Sequence, residues 1–239
     1  VQSVALRLIC EREEEIEKFK KEEYWTIDAD LLTDKKEKLN ANLTHIDGKK
    51  LDKFAIKNEK EAKEIQSILE TKKYKVLSIE RKQTKKNPYA PFTTSTLQQE
   101  ANKKLGFSAK LTMSVAQKLY EGKDVGNGTH GLITYMRTDG VYTAPEAITS
   151  ARNFIKNKYG EKYLPSKPII YQNKVKNAQE AHEAIRPTDP TATPESLKQY
   201  LTNEEYKLYD LIWKRLIASQ MTSVIFDQVA INIETESKY

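Results

Sequence analysis

Cysteine is nearly missing from this chain of 239 residues: Cys10 stands alone. One thiol closes no disulfide and builds no four-ligand zinc ribbon, so a reducing, intracellular setting is the simple expectation. No run reaches the roughly 18 consecutive apolar residues that a membrane helix needs, and no signal-peptide pattern is present. Internal repeats and low-complexity tracts are absent too. Histidine is scarce, at three residues. The stretch HEAIR, residues 182–186, opens like the zinc-protease motif H-E-x-x-H, but Arg186 stands where the second His is required. No metal site is therefore expected within the chain. It opens on Val1 rather than Met and stops within a strand-like stretch, VAINIETESKY, which reads as a piece cut from a longer protein.

What is present is charge. Lys and Arg number 40 against 34 Asp and Glu, a net charge of +6 with a pI near 9.0. That balance suits a nucleic-acid partner without requiring one, since many basic proteins bind none. The length accommodates one large domain or two modest ones.

Periodicity divides the chain. Val1, Ala5, Leu8, Ile16 and Phe19 recur at helical spacing over residues 1–20, predicting an amphipathic helix packed on one side. Residues 24–92 read as α+β. YWTIDADLL and KFAI are expected strands, Asn58 and Glu61 box the start of KEAKEIQSILE, YKVLSIERK alternates as a strand, and TKKNPYAPF is a connector. From residue 93 helices take over. Ser95 and Gln98 suggest a capping box, Gly106 a stop, Ser108 a new cap and Gly122 a second stop. Two short helices joined this tightly are like a helix-turn-helix, though any packed helix pair gives the same pattern. Thr143 and Glu146 flank Pro145 at another helix start, and Thr202 with Glu205 caps EEYKLYDLIWKRLIASQ. SVIFDQVAINI returns to strand. The expected class is α+β, mainly helical, with a helical domain inserted into a β-containing one.

GLITYMRTDG, residues 131–140, raises the question of chemistry. As a strand it sends Tyr135 and Arg137 to one face, roughly 6.5–7 Å apart, with Thr134 and Met136 opposite. A phosphate fits between a phenol and a guanidinium at that separation. Arg grips phosphate through a planar fork and stays charged. A phenol, with a pKa of about 10, must lose its proton to attack, and the charge that builds on phosphorus needs stabilising. Spacing alone leaves two readings open: a packing tyrosine, one of 13 in the chain, or a nucleophile beside a phosphate clamp.

The whole motif resembles the active-site signature of bacterial type IA DNA topoisomerases, in their topoisomerase I branch. Further blocks follow the same order: VQSVALRLICERE, PFTTSTLQQEANKKLGFSAKLTMSVAQKLYEG and AQEAHEAIRPTDP resemble family segments before and after the tyrosine. The resemblance implies an ATP-independent reaction that relaxes negatively supercoiled DNA. The tyrosine matching Tyr135 attacks a single-stranded phosphodiester and holds the 5′ phosphate, another strand passes, and the 3′ hydroxyl reseals the break. It implies that Arg137 positions the scissile phosphate. It also implies that His182 lies close to the DNA, and that Val1, Gln2 and Ser3 approach the single strand. His182 and Arg186, four apart, would share a helical face. One departure is Gly140, where many family members carry Ser. It puts Tyr142 nearby as a second, less favoured nucleophile.

The resemblance also implies domains: residues 1–20 as the end of a single-strand-binding base, 21–92 with 222–239 as a β-containing hinge, and 93–221 as the helical, tyrosine-bearing domain of a toroidal clamp. It places Mg²⁺ on a D-x-D-x-E cluster in another domain. Here Asp28 and Asp30 make a D-x-D, but Leu32 fills the third position. The expectation is a monomeric, cytoplasmic fragment of a DNA enzyme, inactive by itself. Two alternatives remain. One is a non-enzymatic helix-turn-helix module using Lys103, Lys104 and Lys110. The other is a tyrosine recombinase, disfavoured because its tyrosine follows an H-x-x-R pair.

Overall fold

The computed structural model describes residues 2–126, 128–172 and 182–235. They fall into two compact units, residues 1–82 with 227–239, and residues 83–226. The second is thus an insertion in the chain of the first, and helix and strand mix in the expected α+β manner.

The first unit opens with α1, Gln2–Glu17, a helix laced by Arg7–Glu11 and Arg12–Glu15 ion pairs. The helix is where periodicity puts it, but its apolar residues are not covered: Leu8, Ile16 and Phe19 are all exposed. The expected packed side is therefore absent among the described residues. Val1 lies outside them. β1, Asp28–Leu32, pairs antiparallel with β2, Lys38–Asn42. A minimal hairpin follows, β3 (His45–Ile46) to β4 (Lys49–Lys50). Asp47 and Gly48 form its turn with φ of 51° and 71°, the two positive values that an Asp-Gly hairpin turn supplies. KFAI is not a strand. Phe54 N donates to Asp52 Oδ1, curling the segment into a turn, and its end is tied where Trp25 N donates to Ile56 O. α2, Glu59–Glu70, starts as read: Asn58 Oδ1 accepts from Glu61 N. β5, Tyr74–Lys86, pairs with β8, Val224–Thr235.

The second unit holds most of the buried core. α3, Thr94–Leu105, is capped by Thr93, whose hydroxyl accepts from Thr96 N while Thr93 N donates to Thr96 Oγ1. The box is thus Thr93–Thr96 rather than Ser95–Gln98, two residues earlier. Gly106 ends α3 at φ 71°, a conformation costly for residues with a Cβ. Ser108 caps α4, Ala109–Glu121, by accepting from Leu111 N. β6 (Lys123–Asp124) and β7 (Thr129–His130) make a short hairpin that sequence pattern did not reveal. α5, Pro145–Tyr159, begins at Ala144 with Pro145 first in the helix. Thr143 does not cap it. α6, Pro194–Leu197, is a single turn. α7, Asn203–Ser219, carries the expected Thr202–Glu205 box and contributes Leu208, Tyr209, Ile212 and Leu216 to the core. The Glu205 carboxylate also meets Lys123 Nζ at 2.6 Å, anchoring the short hairpin to the start of α7.

Leu216 is fully buried, whereas Leu77 on β5 is 61% exposed. Leu216→Ala is expected to lower the stability of the second unit by about 2–5 kcal/mol through lost burial and a cavity. Leu77→Ala is expected to stay within about 0.5 kcal/mol of the parent chain. Urea unfolding followed by fluorescence, with buried Trp213 reporting on the second unit, checks both.

Candidate active site

Residues 131–140 form no ladder strand: the backbone is irregular, with bends at Thr134, Met136 and Arg137, and its one bridge is Ile133 to Pro187. The strand expectation fails because this backbone spends its hydrogen bonds on helix ends and side chains. Leu132 N donates to Leu119 O in the last turn of α4. Thr94 N, at the first turn of α3, donates to Thr138 O. Both are groups that a helix leaves unpaired at its ends. The Thr94 hydroxyl donates to Met136 O at 2.7 Å and accepts from Thr138 N at 2.9 Å. Met136 is buried at 1% exposure, but Leu132 and Ile133 are both buried as well, so strict strand alternation does not hold. Tyr135 is half-buried and Arg137 exposed.

The second wall is the segment 182–188. It was expected to be helical, with His182 and Arg186 on one helical face. It is irregular instead, with bends at His182 and Thr188 and single bridges at Ile185 and Pro187. Pro187 disfavours a helix at the residue before it, and the backbone donors are already engaged. Ala184 N donates to Tyr142 O, Ile185 N to Phe92 O, and Arg186 N to Thr134 Oγ1. In return Thr134 N donates to Arg186 O, Thr134 Oγ1 to Ala184 O at 2.7 Å, and Thr188 N to Leu132 O. The preceding residues, 173–181, with the start of the AQEAHEAIRPTDP block, lie outside the described residues.

This lattice brings His182 to Tyr135. Their ring centroids are 5.0 Å apart at 54°. Tyr135 also meets Tyr120 of α4, edge-on, with centroids 5.4 Å apart. Tyr120 was not singled out by sequence; its position in the last turn of the helix before the motif is the only signal it carries. The Tyr135 hydroxyl and the Arg137 guanidinium have no hydrogen-bond or ion-pair partner among the described residues. A phenol packed against two rings and a guanidinium two residues on, both unpaired among the described residues, can receive an anion from solvent.

Arg186 is no part of that open surface. Its Nε donates to Glu183 Oε2 at 2.8 Å, and its Nη1 to Pro187 O. Glu183 Oε2 also accepts from Ala144 N at the start of α5. Burial pushes the Glu183 carboxyl up, but Arg186 and the Ala144 amide outweigh it and hold the group below its usual range. The pair thus ties the His182 segment to α5. Gln2 and Ser3 sit exposed in the first turn of α1, in the other unit.

No metal centre emerges. Among the described residues no three His, Cys, Asp or Glu side chains gather as metal ligands. The Asp28 and Asp30 carboxylates accept from Asn42 and Asn40 across the β1–β2 pair. These residues do not fit a Mg²⁺ site. No described helix is long and apolar enough to cross a membrane.

A family model described as DNA topoisomerase matches residues 1–239. DNA topoisomerase 1 of Rickettsia felis is 58% identical over the whole chain, which spans 31% of that protein. The Xylella fastidiosa enzyme of the same name is 45% identical, with 30% of its length covered. Among solved structures, full-length topoisomerase I from Thermotoga maritima superposes with a TM-score of 0.76 at 37% identity, over 98% of this chain and 36% of that one.

The Glu183 tie predicts a pH dependence. Its carboxyl is depressed in the folded chain, so its contribution is complete above the unfolded value of about 4.3 and fades as pH falls through the folded value. Glu183→Gln is expected to lower the urea midpoint of the second unit at pH 7. The gap from the parent chain should narrow as pH falls below that unfolded value and close only below the depressed folded value, where the carboxyl is protonated in both states. A gap of constant size down to that pH would show that the charge does not contribute.

Proposed function

Because the chain belongs to the DNA topoisomerase family, we propose that it is the tyrosine-bearing portion of a bacterial type IA enzyme that relaxes negatively supercoiled DNA. Tyr135 is the nucleophile. Its phenolate oxygen attacks the scissile phosphorus of a single-stranded segment, the P–O3′ bond breaks, and the departing 3′ oxygen takes up a proton. The 5′ phosphate stays on Tyr135 until the 3′ hydroxyl returns. Energy remains in the phosphotyrosine, so no ATP is consumed.

The observation that carries this reading is the arrangement at Tyr135. The phenol packs against both Tyr120 and His182, and neither its hydroxyl nor the Arg137 guanidinium two residues on has a partner among the described residues. Arg137 clamps the scissile phosphate and offsets its developing charge. His182 lies at the DNA face of Tyr135. Gln2 and Ser3 meet the single strand where it approaches the site. In the whole enzyme, a monomer of the cytoplasm, the units belong to a toroidal clamp whose tyrosine-bearing part lifts to admit a strand. Mg²⁺ and its acidic ligands belong to a portion of the parent protein beyond these residues.

The helix-turn-helix alternative has less support. α4 ends against the motif, where Leu119 O accepts from Leu132 N, and Lys104 is paired with Glu100 at 2.8 Å rather than free for phosphate. The helix pair thus serves the tyrosine segment.

In the full-length parent enzyme, Tyr135→Phe is expected to abolish covalent DNA–protein adducts while single-strand binding persists. Adducts that survive the change would move the nucleophile to another residue. Arg137→Lys should slow cleavage by about 10-fold or more, because a point charge loses the planar fork. An unchanged single-turnover rate would refute the clamp. The 239-residue chain by itself is expected to leave supercoiled plasmid unrelaxed with Mg²⁺ present, as gel mobility would show.

A further inference from the structure

Of the two rings against Tyr135, Tyr120 is the one that stands on a regular helix. It lies in the last turn of α4, beside Leu119 and one turn after Ala116, both fully buried. Core packing therefore fixes the backbone beneath the ring. The ring itself is 40% exposed and meets Tyr135 with the two planes at 65°, an edge-on arrangement that the charge distribution of aromatic rings favours. The short hairpin brings the motif back to this ring: α4 ends at Glu121, β6 and β7 run out and back, and Gly131 returns against the helix. A Cβ built on Gly131 would lie 2.8 Å from Tyr120 O, closer than real Cβ atoms come. The obstacle is backbone, which cannot swing aside as a flexible side chain can. The φ of Gly131 lies outside the left-handed range, so the close approach, rather than backbone freedom, calls for glycine. Leu132 N donating to Leu119 O at 2.8 Å and Thr188 Oγ1 donating to Gly131 O at 2.7 Å hold the motif in that place.

We propose that Tyr120 is a positioning residue for the nucleophile: its ring, set by the close approach of Gly131 to α4, fixes the direction in which the Tyr135 phenol points. The Tyr135 hydroxyl has no partner among the described residues, so the side chain is oriented by what its ring touches. His182 stands on irregular backbone, whereas Tyr120 is carried by a helix whose inner face is buried. Attack requires the phenol oxygen within about 3–3.5 Å of phosphorus and in line with the leaving oxygen. The same ring must later present the phosphotyrosine to the returning 3′ hydroxyl. Tyr120 acts through Tyr135 and not on the DNA, and it does so with its ring rather than its hydroxyl. Its catalytic consequence rests on the reading of Tyr135 as nucleophile given above.

The test is single-turnover adduct formation by the full-length parent enzyme, measured across concentrations of a single-stranded oligonucleotide. Tyr120→Ala is expected to lower the saturated rate about 10-fold, within the range that a displacement on the order of 1 Å produces. The half-saturating concentration should stay within about 2-fold of the parent's, and Tyr120→Phe, which keeps the ring, should stay within about 2-fold of its rate. Gly131→Ala should also slow the reaction, and adding Tyr120→Ala to it should cost less than about 2-fold more, because both act on one contact. A Tyr120→Ala rate equal to the parent's overturns the proposal. So does an effect confined to the half-saturating concentration, which would make Tyr120 a DNA contact. A Tyr120→Phe loss as large as the alanine one would give the role to the hydroxyl and overturns it too. If Tyr120→Ala lacks the urea transition reported by Trp213, Tyr120→Leu, which keeps apolar bulk without the aromatic ring, takes its place and the same rates decide. Adducts on a residue other than Tyr135 in the unmodified enzyme would overturn the nucleophile reading and this proposal with it. A Tyr135 adduct formed at full rate by Tyr120→Ala overturns this proposal alone.

Discussion

The site depends on one constraint: two irregular segments, 131–140 and 182–188, that must pair without forming a sheet. Thr134 exchanges hydrogen bonds with Arg186 through both backbone and hydroxyl, and Thr188 returns one to Leu132. Pro187 cannot donate, so a regular ladder is interrupted there. The remaining backbone groups go to the ends of α3 and α4, where helices have unpaired carbonyls and amides to offer. Each bond is worth only about 0.5–1.5 kcal/mol net, but together they leave the motif one conformation. In it Met136 is buried in the core, and Tyr135 packs half-buried against that core beside the rings of Tyr120 and His182.

That arrangement explains why a half-buried tyrosine remains available. Its ring is held by packing against Tyr120 and His182, which asks nothing of the hydroxyl. The nearby charges are sorted by burial. Arg186 is nearly buried and neutralised by Glu183, whereas Arg137 is exposed and unpaired among the described residues. Two arginines close to one motif thus do opposite work, one fastening the scaffold and one facing the solvent from which a phosphate would come.

Much of this was legible from sequence, and the failures share a cause. Helices with a cap and a stop were readable because both signals are local: Asn58, Ser108 and Thr202 cap, and Gly106 stops. The Asp47-Gly48 turn was equally local but was passed over, because the strands beside it are two residues each and mostly polar. The motif was read as a strand and the His182 segment as a helix because their partners lie far off in sequence. Thr94 bonds Met136 across 42 residues and Thr134 bonds Ala184 across 50. Threonines carry no periodic signature, so nothing in the order of residues announces them as clamps. Tyr135 and Arg137 stand out as candidates nonetheless, since the identity of a motif survives a wrong assignment of its backbone. The fit of Gly131 against a carbonyl could be seen only in three dimensions.

The central claim is that Tyr135 forms the covalent link to DNA, and peptide mapping tests it most directly. The full-length enzyme would be trapped on a single-stranded oligonucleotide, digested with trypsin and nuclease, and the phosphonucleotide-bearing peptide sequenced by mass spectrometry. The account predicts the modification on the peptide of residues 124–137, DVGNGTHGLITYMR, at its single tyrosine. A modification on residues 138–152, which carry Tyr142, or on any peptide outside 124–137, would contradict it.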